Sequence, residues 1–144
     1  MKLSTKSTYG LRAMLNIALG SNGEAISITD ISRREGISAS YLEQLLNKLR
    51  HDGLIESIRG PKGGYVLSKE ASDITVADVV RTLEGGIYPV HCVGPREKTG
   101  NLCKKSSGCV PKIVWHKLAK AINDCLGSIT LQDMCAEAKK INKA

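Results

Sequence analysis

Apolar residues recur at helical intervals along most of the chain and alternate like a strand only briefly. Leu11, Met14, Leu15, Ala18 and Leu19 fall at i, i+3, i+4, i+7 and i+8, which predicts an amphipathic helix over Ser7 to Leu19, ended by Gly20 to Gly23. Ser27-Ile28-Thr29-Asp30 reads as a capping box, with the Ser27 hydroxyl accepting from a helical N–H and Asp30 reaching back. A short helix follows to about Glu35, and Gly36 breaks it. Ser38 caps a third helix, Ala39 to His51, with Leu42, Leu45, Leu46 and Leu49 as its inward stripe.

Two short helices joined by Gly36-Ile37-Ser38 make a helix-turn-helix. Next come a strand over Leu54 to Ile58, a basic, glycine-rich tip from Arg59 to Gly64, and a return strand over Tyr65 to Leu67, which together form a β-hairpin wing. Thr75 to Asp78 is a second capping box, and Val76, Val79, Val80 and Leu83 stripe the helix behind it. From Gly85 to Gly108 the helical period disappears. This stretch holds five glycines, two prolines and two cysteines, and a loop of that length predicts a functional segment. Periodicity resumes near Val110, with Val114, Leu118, Ala121, Ile122 and Cys125 on one face of a long helix. A third capping box, Thr130 to Asp133, opens a last helix with Leu131, Met134, Cys135 and Ala138 inward. The expected fold class is mainly α: a winged helix-turn-helix over residues 1–84, a cysteine-containing loop over 85–109, and a long helix with a final helix over 110–144.

Composition narrows the function. A chain of 144 residues is about one domain, and 42% hydrophobic with 24% charged residues reads as globular. With 3% aromatics and no Phe, the core must be aliphatic. A net charge of +7 favours a polyanionic partner, nucleic acid first. No stretch is apolar enough to span a bilayer, and Arg12 and Asn16 interrupt the N-terminal stripe, so a secretory signal is not expected and the cytoplasm is. Five cysteines, an odd number, do not suggest a disulfide framework in such a compartment.

The candidate DNA-binding residues are Ser38, Ser40, Tyr41, Glu43, Gln44 and Lys48 on the third helix, with Arg59, Pro61 and Lys62 in the wing. Gln44 matches the bidentate edge of adenine, Ser40 suits a base edge or phosphate, and Glu43 accepts from cytosine but is repelled by phosphate, which makes it a discriminator. Arg59 and Lys62 suit the minor groove or the flanking backbone. The competing reading is a winged helix used as a protein-interaction module with an ordinary solvated face. An enzyme is not expected, since there is no nucleophile–base pair, phosphate loop or paired carboxylates.

Cys92 and Cys103 have ten residues between them, and Cys103 and Cys109 have five. Three thiolates in a glycine-rich loop suit an iron–sulfur cluster, which takes four ligands, and leave one position exchangeable. Zinc, which prefers close ligand pairs, and a two-thiol redox switch stay open on spacing alone. Cys125 and Cys135 lie on apolar helix faces and read as core residues, and Trp115 as a packing residue. His51 reads as a partner of its own helix C-terminus or of a phosphate.

These motifs resemble the IscR/NsrR/CymR family of winged-helix bacterial transcription regulators, and within it the iron–sulfur cluster regulators. The matching stretches are Met1 to Ser4, Tyr9 to Leu15, Asp30 to Ser32, Gly36 to Ser38, Ser40 to Leu45, Arg59 to Tyr65, and Cys92, Cys103, Cys109 and Trp115. The resemblance covers roughly residues 1 to 135. It implies a homodimer built through the long helix after Cys109, a palindromic double-stranded DNA operator, and a 2Fe-2S cluster on Cys92, Cys103 and Cys109. It also implies a repressor controlling iron–sulfur cluster biogenesis genes; the alternative is a nitric-oxide- or thiol-sensing regulator without that role. In cluster-binding members a His three residues after the last cysteine is the fourth ligand. Here that residue is Lys112, whose protonated amine cannot ligate iron. His91, a partner-chain residue (Thr8 holds the position some relatives use) and an exogenous small molecule remain candidates. His116, about 11 Å up the helix from Cys109, is expected to lie too far away.

Overall fold

A computed structural model describes residues 3–20, 23–94 and 106–143. Helices α1 (Thr5–Leu19), α2 (Ile28–Glu35) and α3 (Ala39–His51) lead into strands β1 (Ile55–Ile58) and β2 (Gly64–Leu67). Helix α4 (Val76–Glu84) follows, then α5 (Pro111–Gly127) and α6 (Leu131–Lys143). Short 3-10 turns lie at Ala71–Asp73, His91–Val93 and Ser106–Gly108. The mainly helical, winged helix-turn-helix class read from the sequence is the class observed.

Local signals explain most boundaries. The Ser27 Oγ accepts the Asp30 N–H at 3.1 Å, and Gly36, in the left-handed conformation at φ 66°, ends α2. The Ser38 Oγ accepts the Tyr41 N–H at 3.2 Å and opens α3. Both halves of the capping box are present at Thr75/Asp78 and at Thr130/Asp133. At Ser27 only the forward half forms, because the Asp30 carboxylate turns outward to Arg33, 3.5 Å away.

The core is aliphatic, as the composition requires. The α3 leucines Leu42, Leu45, Leu46 and Leu49 are all buried, against Met14 and Ile17 of α1, Ile31 of α2, Ile55 of β1 and Leu131 of α6. Burial of one such side chain stabilises the fold by about 1.5–3 kcal/mol relative to exposure. Helix α1 departs from the expected stripe: it begins at Thr5 instead of Ser7, and its buried residues include Ser7, Ala13, Asn16 and Ile17, while Leu19 is exposed. The reason is that α1 is covered on several sides, by α2, α3, α4, α6 and β2, so no single stripe describes its inner surface. Its most extensive contact is with α4, where Gly10 admits the Leu83 side chain into the space a β-carbon would fill.

The hairpin pairs Ile55 with Leu67 and Ile58 with Gly64 in antiparallel register. It is anchored to the α1–α2 connection by a second pairing, with the Ile26 N–H donating to the Tyr65 carbonyl at 3.1 Å and Tyr65 returning the bond at 2.9 Å. Gly64 is needed there: its φ is +154°, and a β-carbon would collide with the Ile26 carbonyl. At the other end, α6 is tied to α4 by bonds from Val76 N–H to the Ile129 carbonyl and from Leu131 N–H to the Ile74 carbonyl. Among the described residues no helix is long and apolar enough to cross a membrane.

Candidate nucleic-acid interface and cysteine segment

The turn between α2 and α3 is held rigidly. The Ser32 hydroxyl donates to the Ile37 carbonyl at 2.6 Å, the Gly36 N–H to the Ser32 carbonyl at 2.9 Å, and the Ile37 side chain is buried. A buried polar contact backs this turn: the Asn16 amide donates to the Glu35 carboxylate at 2.6 Å and to the Arg12 carbonyl at 2.9 Å. With the leucine stripe of α3 facing inward, Ser38, Ser40, Glu43, Gln44, Asn47 and Lys48 are left exposed on its outer side. Lys48, Arg50 and His51 lie in the last turn, where positive charge complements the helix dipole.

Tyr41 is different. It is half-buried, its hydroxyl lies 3.3 Å from Thr5 Oγ1, and its ring stands edge-on to Tyr9 at 5.9 Å between centroids. It therefore seats α3 on α1. Tyr9 in turn lies under the Arg12 guanidinium, 6.0 Å from the ring centre. Thr5, Tyr9, Asn16 and Glu35 had no local signal in the sequence, because each acts through a partner far along the chain.

Arg59, Pro61 and Lys62 are exposed at the wing tip, where the Gly63 N–H closes a turn on the Gly60 carbonyl at 2.9 Å. Among the described residues neither Arg59 nor Lys62 takes part in an ion pair, so both charges stand open to a polyanion. An α-helix with an exposed polar face beside a basic hairpin is an arrangement that enters a major groove while the hairpin reaches the flanking backbone.

The cysteine segment is partly described. Cys92 is half-buried in the 3-10 turn His91–Val93, which packs against α5. Cys109 is half-buried just ahead of α5 and lines a hollow of about 380 Å³ with Lys112, Ile113 and His116. Cys103 lies outside the described residues, and among those described no group of three or more His, Cys, Asp or Glu side chains converges. His116, expected too far up the helix to ligate, is exposed and lines the same shallow hollow as Cys109. His91 and Thr8 are exposed. Two soft thiols on packed elements, one opening on a hollow with an imidazole at its rim, fit an iron–sulfur cluster in their donor chemistry.

The remaining cysteines divide. Cys135 packs against the main core; burial pushes its thiol up, with Lys139 pulling the other way. Cys125 is exposed, against the expectation of a core position. Much of its helix is likewise open: no residue of α5 is fully buried, Ile122 and Leu126 are half-buried against the α4 cluster, and Val110, Ile113, Val114 and Leu118 are exposed, so the N-terminal part of its apolar face is not covered within this chain. Trp115 is half-buried.

Comparison with known proteins agrees with this geometry. Residues 3–137 match the profile of Rrf2, described as an iron-dependent transcriptional regulator. The chain is 38% identical over 144 residues to the HTH-type transcriptional regulator IscR of Xenorhabdus nematophila, spanning 100% of this chain and 85% of that protein. Among solved structures, T. potens IscR superimposes with a TM-score of 0.80 at 38% identity, covering 100% of this chain and 93% of its own. CymR of B. subtilis, the global cysteine regulator of that organism, superimposes with a TM-score of 0.78 at 35% identity, covering 95% of this chain and 98% of its own. The family is one of regulators and not of enzymes, and the chain belongs to it: this is an Rrf2-family, DNA-binding transcription regulator.

Proposed function

We propose that this regulator is a homodimer that represses iron–sulfur cluster biogenesis genes from a palindromic operator, with its DNA binding tuned by a 2Fe-2S cluster. The observation that carries the proposal is the pairing of an exposed reading face on α3 with half-buried Cys92 and Cys109 on elements packed at α5. Ser40, Glu43, Gln44 and Lys48 face the major groove, with Ser38 at the helix N-terminus, while Arg59, Pro61 and Lys62 meet the minor groove or flanking phosphates. The exposed apolar face of α5 supports a second copy packing there, which sets the two reading helices about one DNA turn apart. Working on operator DNA, the protein belongs in the cytoplasm.

Cys92, Cys103 and Cys109 would hold the cluster, and His91, a residue of a second copy or an exogenous molecule would complete it, since Lys112 cannot. A cluster with one exchangeable ligand supplies a group that is lost when iron is scarce or oxidants rise. The chain's own part is to hold Cys92 in a turn packed on α5 and Cys109 directly ahead of that helix. A second reading, a thiol-state or nitric-oxide sensor without a role in cluster supply, is favoured by the likeness to CymR.

Anaerobic purification with iron and sulfide quantitation, repeated on Cys92→Ala, Cys103→Ala and Cys109→Ala, tests the cluster, and nitric oxide titration with operator mapping then separates the two readings. Stoichiometric iron and sulfide that vanish in each variant support the cluster. Iron-free protein whose operator binding responds to thiol oxidants supports the second reading.

A further inference from the structure

We propose that Glu84 is a positioning residue for operator recognition: its carboxylate locks the first turn of α1, and that turn holds the recognition helix through Tyr41. A single oxygen, Glu84 Oε1, receives the Ser4 N–H at 3.0 Å, the Ser4 hydroxyl at 2.6 Å and the Ser7 hydroxyl at 2.6 Å. Ser4 is the N-cap of α1, so the carboxylate stands at the positive end of that helix, where a negative charge is favoured. Ser7 is 2% exposed, and its hydroxyl is satisfied by this bond inside an otherwise apolar contact.

Thr5 sits between the two clasped serines and meets the Tyr41 hydroxyl; Tyr9, one turn on, meets the Tyr41 ring. One turn of helix thus carries Glu84 on one side and the first turn of α3 on the other. Apolar packing of α1 on α4 is non-directional, whereas three bonds converging on one oxygen fix where the α1 terminus lies and how it is rotated. Residues Ser40, Glu43 and Gln44 flank Tyr41, so a shift of this turn moves the groups that meet base edges. Glu84 is also the last residue of α4, directly ahead of the segment that carries Cys92, which puts the clasp where that segment joins the reading head.

The inference rests on α3 being the element that reads DNA, and its test separates the two. Wild type, Glu84→Gln, Ser7→Ala and the exposed control Glu137→Gln are titrated by fluorescence anisotropy. The probes are a duplex that wild-type protein selects from a random-sequence pool and a scrambled duplex of equal length. Glu84→Gln and Ser7→Ala are expected to weaken binding to the selected duplex about tenfold, the worth of one charge-assisted hydrogen bond. The scrambled duplex, held through phosphates, should change by under about twofold, and the control on neither probe. Combining Glu84→Gln with Thr5→Val should cost less than the product of the single losses, since both act on one turn. Unchanged binding to the selected duplex in both variants, or equal losses on the two duplexes, overturns the role of Glu84. A wild-type protein with no sequence preference overturns the reading of α3, and this inference with it.

Discussion

Tyr41 of α3 stands at 87° to Tyr9 of α1, with 5.9 Å between ring centres, and this T-shaped pair links the two helices. In a chain with so few aromatics, two of the four tyrosines are committed to that joint. An edge-to-face pair contributes about 0.5–1.5 kcal/mol beyond its buried area. Tyr9→Ala is therefore expected to weaken operator binding roughly fivefold, while Tyr41→Phe, which keeps the ring, changes it by about twofold or less. Anisotropy titration of both variants at one salt concentration checks this.

The wing depends on Gly64. A β-carbon there meets the Ile26 carbonyl, and backbone cannot yield as a flexible side chain can. Gly64→Ala should destabilise the fold by about 1–3 kcal/mol in urea unfolding and weaken DNA binding as well. Gly63, at the turn itself, is similarly confined by the Ile58 and Gly60 carbonyls.

Wing charges should show in the salt dependence. If Arg59 and Lys62 each neutralise one phosphate, Arg59→Ala and Lys62→Ala each reduce the slope of log K against log salt by about one. Titrations at several chloride concentrations give that slope directly.

The state of Glu84 gives the fold a pH signature. Burial raises its carboxyl, but bonds from the Ser4 and Ser7 hydroxyls and the Ser4 N–H, with the Lys6 charge, outweigh this and hold it below the ordinary value. A depressed carboxyl contributes stability that is full above its unfolded value, about 4.3, and is lost as pH falls through the lower, folded value. Urea unfolding of wild type should therefore lose stability below about pH 4.3 more steeply than Glu84→Gln, with the difference between them constant near neutrality.

The α5 face gives a test of assembly that leaves the fold alone. Because Val114 and Leu118 are exposed within the chain, Val114→Asp with Leu118→Asp should leave monomer stability within about 0.5 kcal/mol. Sedimentation velocity should show the pair of changes converting dimer to monomer, with weaker operator binding as a result.

The helix-turn-helix was legible because its boundaries are local. Ser27, Gly36 and Ser38 each act within a few residues, and α2 and α3 begin and end where those residues require. What escaped was long-range. The clasp from Ser4 and Ser7 spans about 80 residues to Glu84, and Thr5 reaches 36 residues to Tyr41, with no periodicity to announce either. Apolar spacing marks one face of α5 but not whether the chain itself covers it, so Cys125 reads as a core residue and is exposed. Of the three expected ligands, Cys92 and Cys109 are placed and Cys103 falls outside the described residues.

The most direct measurement is the affinity of the wild-type protein for its selected duplex, taken anaerobically with the cluster reconstituted and again after iron is stripped by a chelator. Operator affinity or sequence choice that changes several-fold between the two forms is the expected result. Identical affinity for identical sites in both forms would contradict a cluster-tuned regulator and leave the DNA-binding family assignment standing alone.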